Sequence, residues 1–481
     1  MVSKSHIPFL IILTVLAYFS IVQGFDKQTL NMWDEATYAN NAIDMLENPS
    51  IVVRQEGKVD LYNTKPPLVI SLQALSMKVF GINTFAVRLP SIVFALSTVF
   101  FLYLFCFHWF KNHWIGFIGS CILICSPGFV RNHIALTGDL DSVLTFFLTT
   151  SFLLSLYLIL KSKMDTKYLI LLGLCFFLGF MTKGIAGFFH APTLALLVLI
   201  FNRKLLKEKK VYFLIVPIFL FSILFYLLRE WMEPGYLQIV FESEISRVNT
   251  VVMDWQVKPF SYYLSNLYKD YFFPFILLFP LGIIAIIINK EYRKILVSLA
   301  TAILTYFLII SFPKVKLDWY DAPLYPLMSL FIGLSLVTII SGIIKNKLPQ
   351  KIFYVVILVA LCYPALQQIR ETKQGYISNN ESIEAEGEFL SNLSYLPQNT
   401  TIFKREQSPE HFDQVLFYIR ALEKDQGGRI SIKAKPHFST KEHVIVSQDK
   451  LKQEIDSLYY FRIIDLNKKT NTELRLIIEK K

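Results

Sequence analysis

Charge and cysteine are both scarce in this sequence. Only 18% of its 481 residues are charged, whereas 54% are hydrophobic and the mean hydropathy is +0.45. Soluble domains do not carry so much apolar surface, so this composition predicts a polytopic α-helical membrane protein. All five cysteines fall within apolar runs and lack metal-ligand spacing. They are therefore predicted to be small core residues, and they imply no disulfide framework.

Several motifs of soluble enzymes are missing as well. The sequence has no Walker loop, no dinucleotide fingerprint and no H-E-x-x-H, so nucleotide-driven chemistry is not indicated. Its net charge of +11 is divided among short basic clusters between apolar runs, which is typical of membrane topology and not of nucleic-acid binding. No A-x-A-like cleavage site follows the first apolar segment, which is therefore expected to be an uncleaved anchor.

Apolar segments of spanning length predict about 11 transmembrane helices. Lysine and arginine gather in alternate short loops, for example at 161–167, 203–210 and 290–294. By the positive-inside rule these loops face the cytoplasm, which places the amino terminus inside and the carboxyl terminus outside. The predicted spans cover residues 7–23, 87–107, 114–130, 142–160, 168–182, 185–201, 211–228, 272–289, 295–312, 322–344 and 352–369.

The polar tail after the last span is predicted to form a separate domain. Two amphipathic stretches, 410–422 and 449–457, are predicted to be helices. The sequence therefore predicts a transmembrane domain over residues 1–370 and a small extracytoplasmic α/β domain over residues 371–481. Four short apolar runs in this tail are predicted to be strands, at residues 401–403, 430–432, 443–447 and 458–464.

The first outer loop, residues 24–86, contains two adjacent acids and a lysine beside the membrane. Asp34 and Glu35 begin a segment whose apolar spacing predicts an interfacial helix over residues 35–46. Acid so close to a bilayer is costly and usually faces water or a polar cavity, although Asp34 could also simply cap the helix. Lys65 precedes two prolines that stiffen the backbone, and it suits either a phosphate or an ordinary lipid headgroup.

A second outer loop repeats the pairing of acids with bases. Asp139 and Asp141 directly precede the fourth predicted span, where they could face a cavity or cap the helix. Arg131 and His133 lie in the same loop and could pair with these acids or bind an anion. This loop is therefore a second candidate for a polar site.

Lysines in the remaining outer segments indicate an anionic partner. Lys183, Lys314 and Lys316 lie at the outer membrane surface, where short loops are normally poor in lysine. A lipid-linked phosphate is a natural ligand for such point charges. Trp319 and Tyr320 are explained by the interfacial aromatic belt. Four further charged residues of the loop 229–271 could add to a cavity, namely Glu230, Glu242, Glu244 and Arg247.

Taken in order, these motifs resemble a known family. The chain is similar to the multi-spanning glycosyltransferases of the GT-C fold, in the group of dolichyl-phosphate-mannose protein mannosyltransferases and aminoarabinose lipid A transferases. The similarity covers roughly residues 1–345. It is carried by D-E-A-T-Y (34–38), K-P-P-L (65–68), F-A-V-R-L-P-S (85–91), L-T-G-D-L-D-S-V-L-T-F-F (136–147), F-M-T-K-G (180–184) and K-L-D-W-Y with P-L-Y-P (316–326).

This resemblance implies transfer of a sugar from a polyprenyl-phosphate donor to an acceptor on the outer face, with inversion. Asp34 matches the first-loop acid that acts as base or orients the acceptor, and Asp141 matches the second-loop acid, with Asp139 as the alternative. The lysines matching donor-phosphate positions are Lys65, Lys183 and Lys316. Residues expected to support the site are Glu35, Tyr38, Arg131, Asp139, Trp319 and Tyr320.

Two departures from the family pattern are visible. Thr64 stands where metal-using members often carry a glutamate before the K-P-P lysine, so metal dependence is left open and a divalent metal is the one cofactor to consider. The large luminal repeat domain of the eukaryotic enzymes is absent, which implies a bacterial enzyme of the inner membrane. Its acceptor would be a lipid A-like or other envelope glycolipid, or a protein, and membrane lipids would surround it.

Two other classes of function remain open at this point. A transporter or flippase of lipid-linked sugars would place polar residues near the middle of the membrane on broken helices. The acids of this chain cluster instead at one surface, which favours an enzyme. A structural subunit would leave the ordered acidic and basic motifs without a role.

Overall fold

The computed structural model describes residues 4–31, 33–61, 63–131, 133–161, 165–245, 256–374, 385–393, 395–404 and 409–481. Helices dominate, and strands are confined to a hairpin in the first outer loop and a sheet in the tail. The helices are α1 (Ile7–Ala17), α2 (Asp34–Glu47), α3 (Leu68–Phe80), α4 (Thr84–Phe110), α5 (His113–Ile124), α6 (Pro127–Val130), α7 (Asp141–Lys161), α8 (Thr166–Lys183), α9 (Ala191–Phe201), α10 (Lys209–Met232), α11 (Tyr236–Val240), α12 (Tyr262–Asn266), α13 (Leu281–Ile288), α14 (Arg293–Ser311), α15 (Leu324–Ile343), α16 (Lys347–Gln374), α17 (Ala385–Ser391), α18 (Pro409–Gln426) and α19 (Asp449–Leu458). The strands are β1 (Arg54–Gln55), β2 (Lys58–Val59), β3 (Thr400–Phe403), β4 (Ile430–Lys433), β5 (His443–Val446), β6 (Tyr459–Asn467) and β7 (Thr472–Lys480).

Among the described residues, seven helices are long and apolar enough to cross a membrane. They are α4, α7, α8 with the turn after it, α10, α14, α15 with the turn before it, and α16. The predicted span at 272–289 belongs to a pair of segments bent by 109°, which would make an eighth crossing. The predicted spans at 7–23, 114–130 and 185–201 coincide with shorter apolar helices. The polytopic helical fold is therefore confirmed, while the count of 11 stays a prediction.

Close packing between helices is achieved with glycine. A Cβ added to Gly333 of α15 would lie 2.8 Å from the backbone nitrogen of Gly119 in α5. A Cβ on Gly116 of α5 would lie 2.8 Å from the carbonyl oxygen of Tyr103 in α4. Small residues allow backbones to approach in this way where packing, and not hydrophobic burial, holds helices together. Helix α7 is the most buried of the spans, and its first residue is Asp141.

The first outer loop contains the predicted interfacial helix as α2, followed by the hairpin β1–β2 and by α3. The thirteen-residue helix α3 was not predicted, since the sequence indicated only that two prolines stiffen the backbone after Lys65. Pro67 is instead the N-cap residue of α3. Proline is well suited to a helix start, since its missing N–H would have no partner there.

The tail forms a mixed five-stranded sheet of order β4-β3-β5-β7-β6. Strand β3 runs parallel to both β4 and β5, whereas β7 pairs antiparallel with β5 and β6. The predicted α/β domain is confirmed, including four strands and the helices α18 and α19. Strand β7 and helix α17 were missed. Helix α16 continues to Gln374, and the domain boundary at residue 370 stays a prediction.

Candidate active site

Helix α2 begins at Asp34, so that the two adjacent acids leave its first turn in different directions. Trp33 is the N-cap residue, and no side chain caps this end of the helix. The interpretation of Asp34 as a simple helix cap is therefore wrong. Glu35 is completely buried, whereas Asp34 keeps part of its surface accessible. Neighbouring carboxylates thus occupy different environments.

Glu35 is held in a buried clamp with Arg88 of α4. The guanidinium donates from Nε to Oε1 at 2.6 Å and from Nη2 to Oε2 at 2.9 Å. The backbone N–H groups of Asn31 and Gly138 also donate to this carboxylate, each at 2.8 Å. Glu35 therefore ties the first outer loop to the second. The same guanidinium donates to the carbonyl oxygens of Phe25, Gln28 and Thr29.

Asp34 faces a cluster of charged side chains contributed by other helices and loops. Burial raises the pKa of its carboxyl group, and the negative charge of Asp139 raises it further. The positive charges of His133, Lys183 and Lys65 oppose this rise. Among the described residues, none donates a hydrogen bond to the Asp34 carboxylate. This acid is therefore a stronger base than usual and has free capacity to accept a proton.

His133 and Asp139 form the nearest part of this cluster. The Nδ1 atom of His133 lies 3.3 Å from Oδ2 of Asp139, which also accepts a hydrogen bond from the Thr137 hydroxyl. Burial disfavours the imidazolium, yet the negative charge of the nearby Asp139 carboxylate raises the pKa of His133 to about 9. The imidazole stacks on Trp319, with ring centroids 3.7 Å apart. Trp319 therefore packs on a site residue in addition to any interfacial role.

The sequence indicated that His133 could pair with an acid of its own loop, and the structure pairs it with Asp139. A lone histidine in a loop has no distinguishing pattern, and its proximity to Asp139 in the chain was the one available signal. The structure shows why it matters: Asp139 and Trp319 fix its ring beside Asp34.

Lys183 and Asp141 form a second ion pair in the cluster. The ammonium of Lys183 donates to both carboxylate oxygens of Asp141, at 2.7 and 2.8 Å. It also lies 5.2 Å from the ring centroid of Tyr320. Gly184 follows with φ of +57°, and a Cβ there would lie 2.5 Å from the hydroxyl oxygen of Tyr226. The Lys-Gly sequence is thus needed for the sharp turn that ends α8.

Lys65 is paired with Glu244, an acid from the loop that follows α10. Their Nζ and Oε1 atoms are 2.7 Å apart, and the same carboxylate oxygen accepts from the Thr64 hydroxyl at 2.9 Å. Tyr236 donates to the carbonyl oxygen of Thr64 at 2.7 Å, which fixes the backbone there. Glu244 also lies near the site of the added Cβ on Gly184. Lys65 and Lys183 therefore flank one region.

The other acids proposed for the loop 229–271 make hydrogen bonds to residues near them in the chain. Glu230 accepts from the backbone N–H groups of Gly235 and Leu237, and Glu242 accepts from Gln238, so both make local contacts. Arg247 lies outside the described residues. Among the described residues of that group, Glu244 contacts a predicted site residue, Lys65.

Lys316 is placed differently from the other two predicted phosphate ligands. Its ammonium donates to the carbonyl oxygen of Lys258 at 3.1 Å and also to that of Pro313. Lys316 is 2% exposed, so its ammonium is buried and is stabilised by hydrogen bonds to these carbonyl oxygens. Lys316 therefore links its own loop to the segment that contains Lys258, and its role in phosphate binding stays a prediction.

Arg131 and Tyr38 complete the predicted set. The guanidinium of Arg131 stacks 3.6 Å from the ring centroid of Tyr271, whose hydroxyl donates to Asp318 at 3.0 Å. Arg131 makes no ion pair within the described part of the chain, so its predicted pairing with Asp139 or Asp141 is not seen there. Tyr38 is buried in α2, one turn after Asp34.

Three side chains of the cluster are close enough together to hold a metal ion. One ligand atom each from Asp34, His133 and Asp139 lie within 4.8 Å of one another. Two carboxylates and an imidazole suit a divalent cation. His133 would first have to lose its proton, because Asp139 holds its pKa at about 9 and a metal binds the neutral ring. These residues therefore fit a cation that competes with the His133 proton.

The chain is similar in sequence to several known proteins. Residues 64–227 match the family model described as dolichyl-phosphate-mannose-protein mannosyltransferase. An uncharacterized protein of Aquifex aeolicus (strain VF5) is 25% identical over 67% of the chain. The undecaprenyl phosphate-alpha-4-amino-4-deoxy-L-arabinose arabinosyl transferase of Yersinia enterocolitica (serotype O:8 / biotype 1B) is 28% identical over 66% of it. The chain spans 62% and 57% of the length of these two relatives.

The fold is shared with a solved structure along almost its entire length. ArnT from Cupriavidus metallidurans bound to undecaprenyl phosphate superposes with a TM-score of 0.69, covering 99% of this chain and 98% of that one at 12% identity. Its apo form gives a TM-score of 0.64 at 14% identity, with 98% and 97% covered. The chain thus has the fold of the GT-C glycosyltransferases. The resemblance to the group of protein mannosyltransferases and ArnT, inferred from the sequence motifs, is confirmed.

Proposed function

We propose that this chain is an integral membrane glycosyltransferase that moves a sugar from a polyprenyl-phosphate donor to an acceptor on the outer face, with inversion at the anomeric carbon. The observation that carries the proposal is the Asp34 carboxylate, which has no hydrogen-bond donor among the described residues and whose pKa is influenced by the positive charges of Lys183 and Lys65. The fold supports it, since the ArnT structure with the same architecture is bound to undecaprenyl phosphate.

Asp34 is the general base in this proposal. An acceptor hydroxyl or phosphate oxygen attacks the anomeric carbon from the face opposite the leaving group. Its proton, where it has one, passes to Asp34 while the bond from the anomeric carbon to the phosphate oxygen breaks. The bonding electrons stay with the polyprenyl phosphate. General-base help of this kind contributes about 10²–10⁴-fold to a rate.

Lys65 and Lys183 stabilise the charge that develops on the leaving phosphate. Both ammonium groups are already oriented, one by Glu244 and the other by Asp141, at 2.7 Å in each case. Oriented charges cost no reorganisation when the transition state forms, which makes them more effective than water. Asp141 thus acts mainly by holding Lys183, and Lys316 by supporting the outer loops around the site.

Asp139 and His133 form the second layer around the base. Their charges act on the pKa of Asp34 in opposite directions, since Asp139 raises it and His133 lowers it. A divalent cation held by Asp34, His133 and Asp139 would supply further positive charge for a donor phosphate. Glu35, by contrast, is fully engaged in its buried ion pair with Arg88. Its role is therefore structural.

The orientation of the chain in the membrane follows from the distribution of its basic residues. The positive-inside rule puts the amino terminus in the cytoplasm, so the site and the tail domain face the extracytoplasmic side of a bacterial inner membrane. The acceptor is a lipid A-like or other envelope glycolipid, since several relatives are named as aminoarabinose transferases, with a protein as the second choice. Transport of lipid-linked sugars is not favoured, because the described acids of the site sit at helix starts and in outer loops.

The test is to identify what happens to the donor. Membranes containing the wild-type protein, and matched membranes with Asp34→Asn, are supplied with lipid-linked sugar donors and envelope lipids. Mass spectrometry should find a glycosylated acceptor and an equal amount of free polyprenyl phosphate with the wild type alone. Movement of intact donor between leaflets without release of polyprenyl phosphate would contradict the proposal and support a transporter.

A further inference from the structure

The tail domain lies directly against the helix that carries Asp34. Four residues of α2 turn polar side chains or backbone groups toward α18, with the spacing of one helix face. Their partners follow the same direction along α18, so the two helices run parallel at this contact. The four residues are Thr37, Asn40, Asp44 and Glu47.

Asp413 of α18 makes the contact nearest to the site. The Thr37 hydroxyl donates to its Oδ2 atom, and the Gln55 amide of β1 donates to Oδ1 at 2.6 Å. The Asn40 amide donates to the Asp413 carbonyl oxygen at 2.8 Å. One residue of the tail therefore binds α2 at two positions and the following hairpin at a third.

Further contacts from α18 reach both sides of Asp34. Arg420 donates to Oδ2 of Asp44 at 2.8 Å, at a position where the side chains are largely buried. The Leu30 N–H donates to the Tyr418 hydroxyl at 2.9 Å, and the Gln414 amide donates to the Leu30 carbonyl. Leu30 lies just before Asp34 and Thr37 one turn after it. The tail thus holds the chain on both sides of the proposed base.

Asp34 needs such support because its own side chain has no hydrogen-bond donor among the described residues. Its carboxylate is located by the start of α2, and that start is held from the membrane domain through Glu35 and Arg88. We infer that α18 supplies the other half of this support, with Asp413 as a positioning residue that aligns Asp34 for catalysis. The inference rests on the proposed function and assigns the tail domain a part in the active site.

The test compares steady-state rates for the full-length protein in detergent or vesicles. Asp413→Ala removes both carboxylate contacts, and a displacement of about 1 Å at a reacting group can cost about 10²-fold. We expect kcat to fall by about 10- to 100-fold with little change in the KM of donor or acceptor. Asp413→Asn keeps an oxygen that accepts one of the two bonds, so its kcat should lie between those of Asp413→Ala and the wild type.

Two further variants make the result specific. Thr37→Val removes the hydroxyl that binds Asp413, and in a double mutant with Asp413→Ala it should add little to the loss, because contacting residues are not additive. Asp425→Asn is the matched control, since Asp425 is an exposed acid at the end of the same helix. It should behave as the wild type.

The outcomes separate the two proposals. Unchanged kcat in folded Asp413→Ala, or a rise in acceptor KM alone, would overturn the inference, and the latter would make α18 an acceptor-binding surface. If Asp413→Ala does not fold, Asp413→Asn and Thr37→Val carry the same prediction. Absence of sugar transfer by the wild type would instead overturn the proposed function, and the inference with it.

Discussion

Two neighbouring groups of charged residues, one around Glu35 and one around Asp34, differ in how far their carboxylates are hydrogen-bonded. In the clamp formed by Glu35 and Arg88, the carboxylate accepts four hydrogen bonds and both side chains are almost completely buried. In the cluster around Asp34, the carboxylate accepts none from the described residues and its pKa is raised by burial. A fully satisfied acid holds loops together, whereas an acid with free capacity can exchange a proton with a substrate.

The largest effect is expected from breaking the clamp. Glu35→Ala leaves the Arg88 guanidinium buried without its carboxylate partner, and such a change typically costs about 3–5 kcal/mol. We expect little folded protein, measured as monodisperse protein after detergent extraction and by its melting temperature. Asp34→Asn is the control and should keep the wild-type melting temperature. Equal stability of the two variants would remove the distinction between the regions.

The next effect concerns the donor phosphate. Lys65→Gln removes one oriented charge from the site, and charge-assisted contacts to phosphate are among the strong polar interactions. We expect donor affinity to fall by about tenfold to 100-fold, which corresponds to about 1.4–2.8 kcal/mol. The measurement is binding of an undecaprenyl-phosphate analogue to purified protein. Lys78→Gln, at an exposed lysine of α3, should bind like the wild type.

A smaller effect is expected at the stack on His133. Trp319→Leu removes an aromatic pair, which is worth about 0.5–1.5 kcal/mol. The rate of transfer should fall by about 2- to 10-fold if this energy appears in the transition state. Trp319→Phe keeps a ring and should recover most of the rate. A loss as large as that of Asp34→Asn would show that Trp319 contacts the substrate directly.

The smallest effect is expected at the far end of the contact between α2 and α18. Lys424 and Glu47 form an ion pair there, but their side chains are 38% and 42% exposed. Exposed pairs contribute about 0.2–1 kcal/mol, so Lys424→Ala should shift the melting temperature slightly and leave transfer unchanged. A loss comparable to that of Asp413→Ala would mean that the whole interface, and not its end near Asp34, sets the rate.

The sequence predicted the elements whose patterns are local. Helix α2 was found from its amphipathic spacing, and most of the spans from their apolar length. Strand β7 was missed because a buried arginine interrupts it; Arg475 is neutralised by ion pairs with Asp456 and Glu473 that a local pattern does not reveal. Helix α3 was missed because two prolines before it suggested an extended chain.

The contacts within the candidate site could be predicted even less well from local sequence patterns. Asp34, Asp141, Lys65 and Lys183 were named from motifs. The structure pairs Asp141 with Lys183, and the charges of both lysines act on the pKa of Asp34. Their pairing could not be predicted, because Lys183 lies 42 residues from Asp141 and Glu244 lies 179 residues from Lys65. The different roles of the adjacent acids Asp34 and Glu35 likewise could not be predicted, because they depend on Arg88, a residue of another helix.

The role of Asp34 as the base is tested most directly by single-turnover transfer with purified wild type and Asp34→Asn, using the same donor and acceptor. Asparagine keeps the shape of the side chain and removes its basicity. We expect Asp34→Asn to fold and to bind donor normally, while the rate of product formation falls by about 10²–10⁴-fold. A folded Asp34→Asn protein that forms product within a few fold of the wild-type rate would contradict this role.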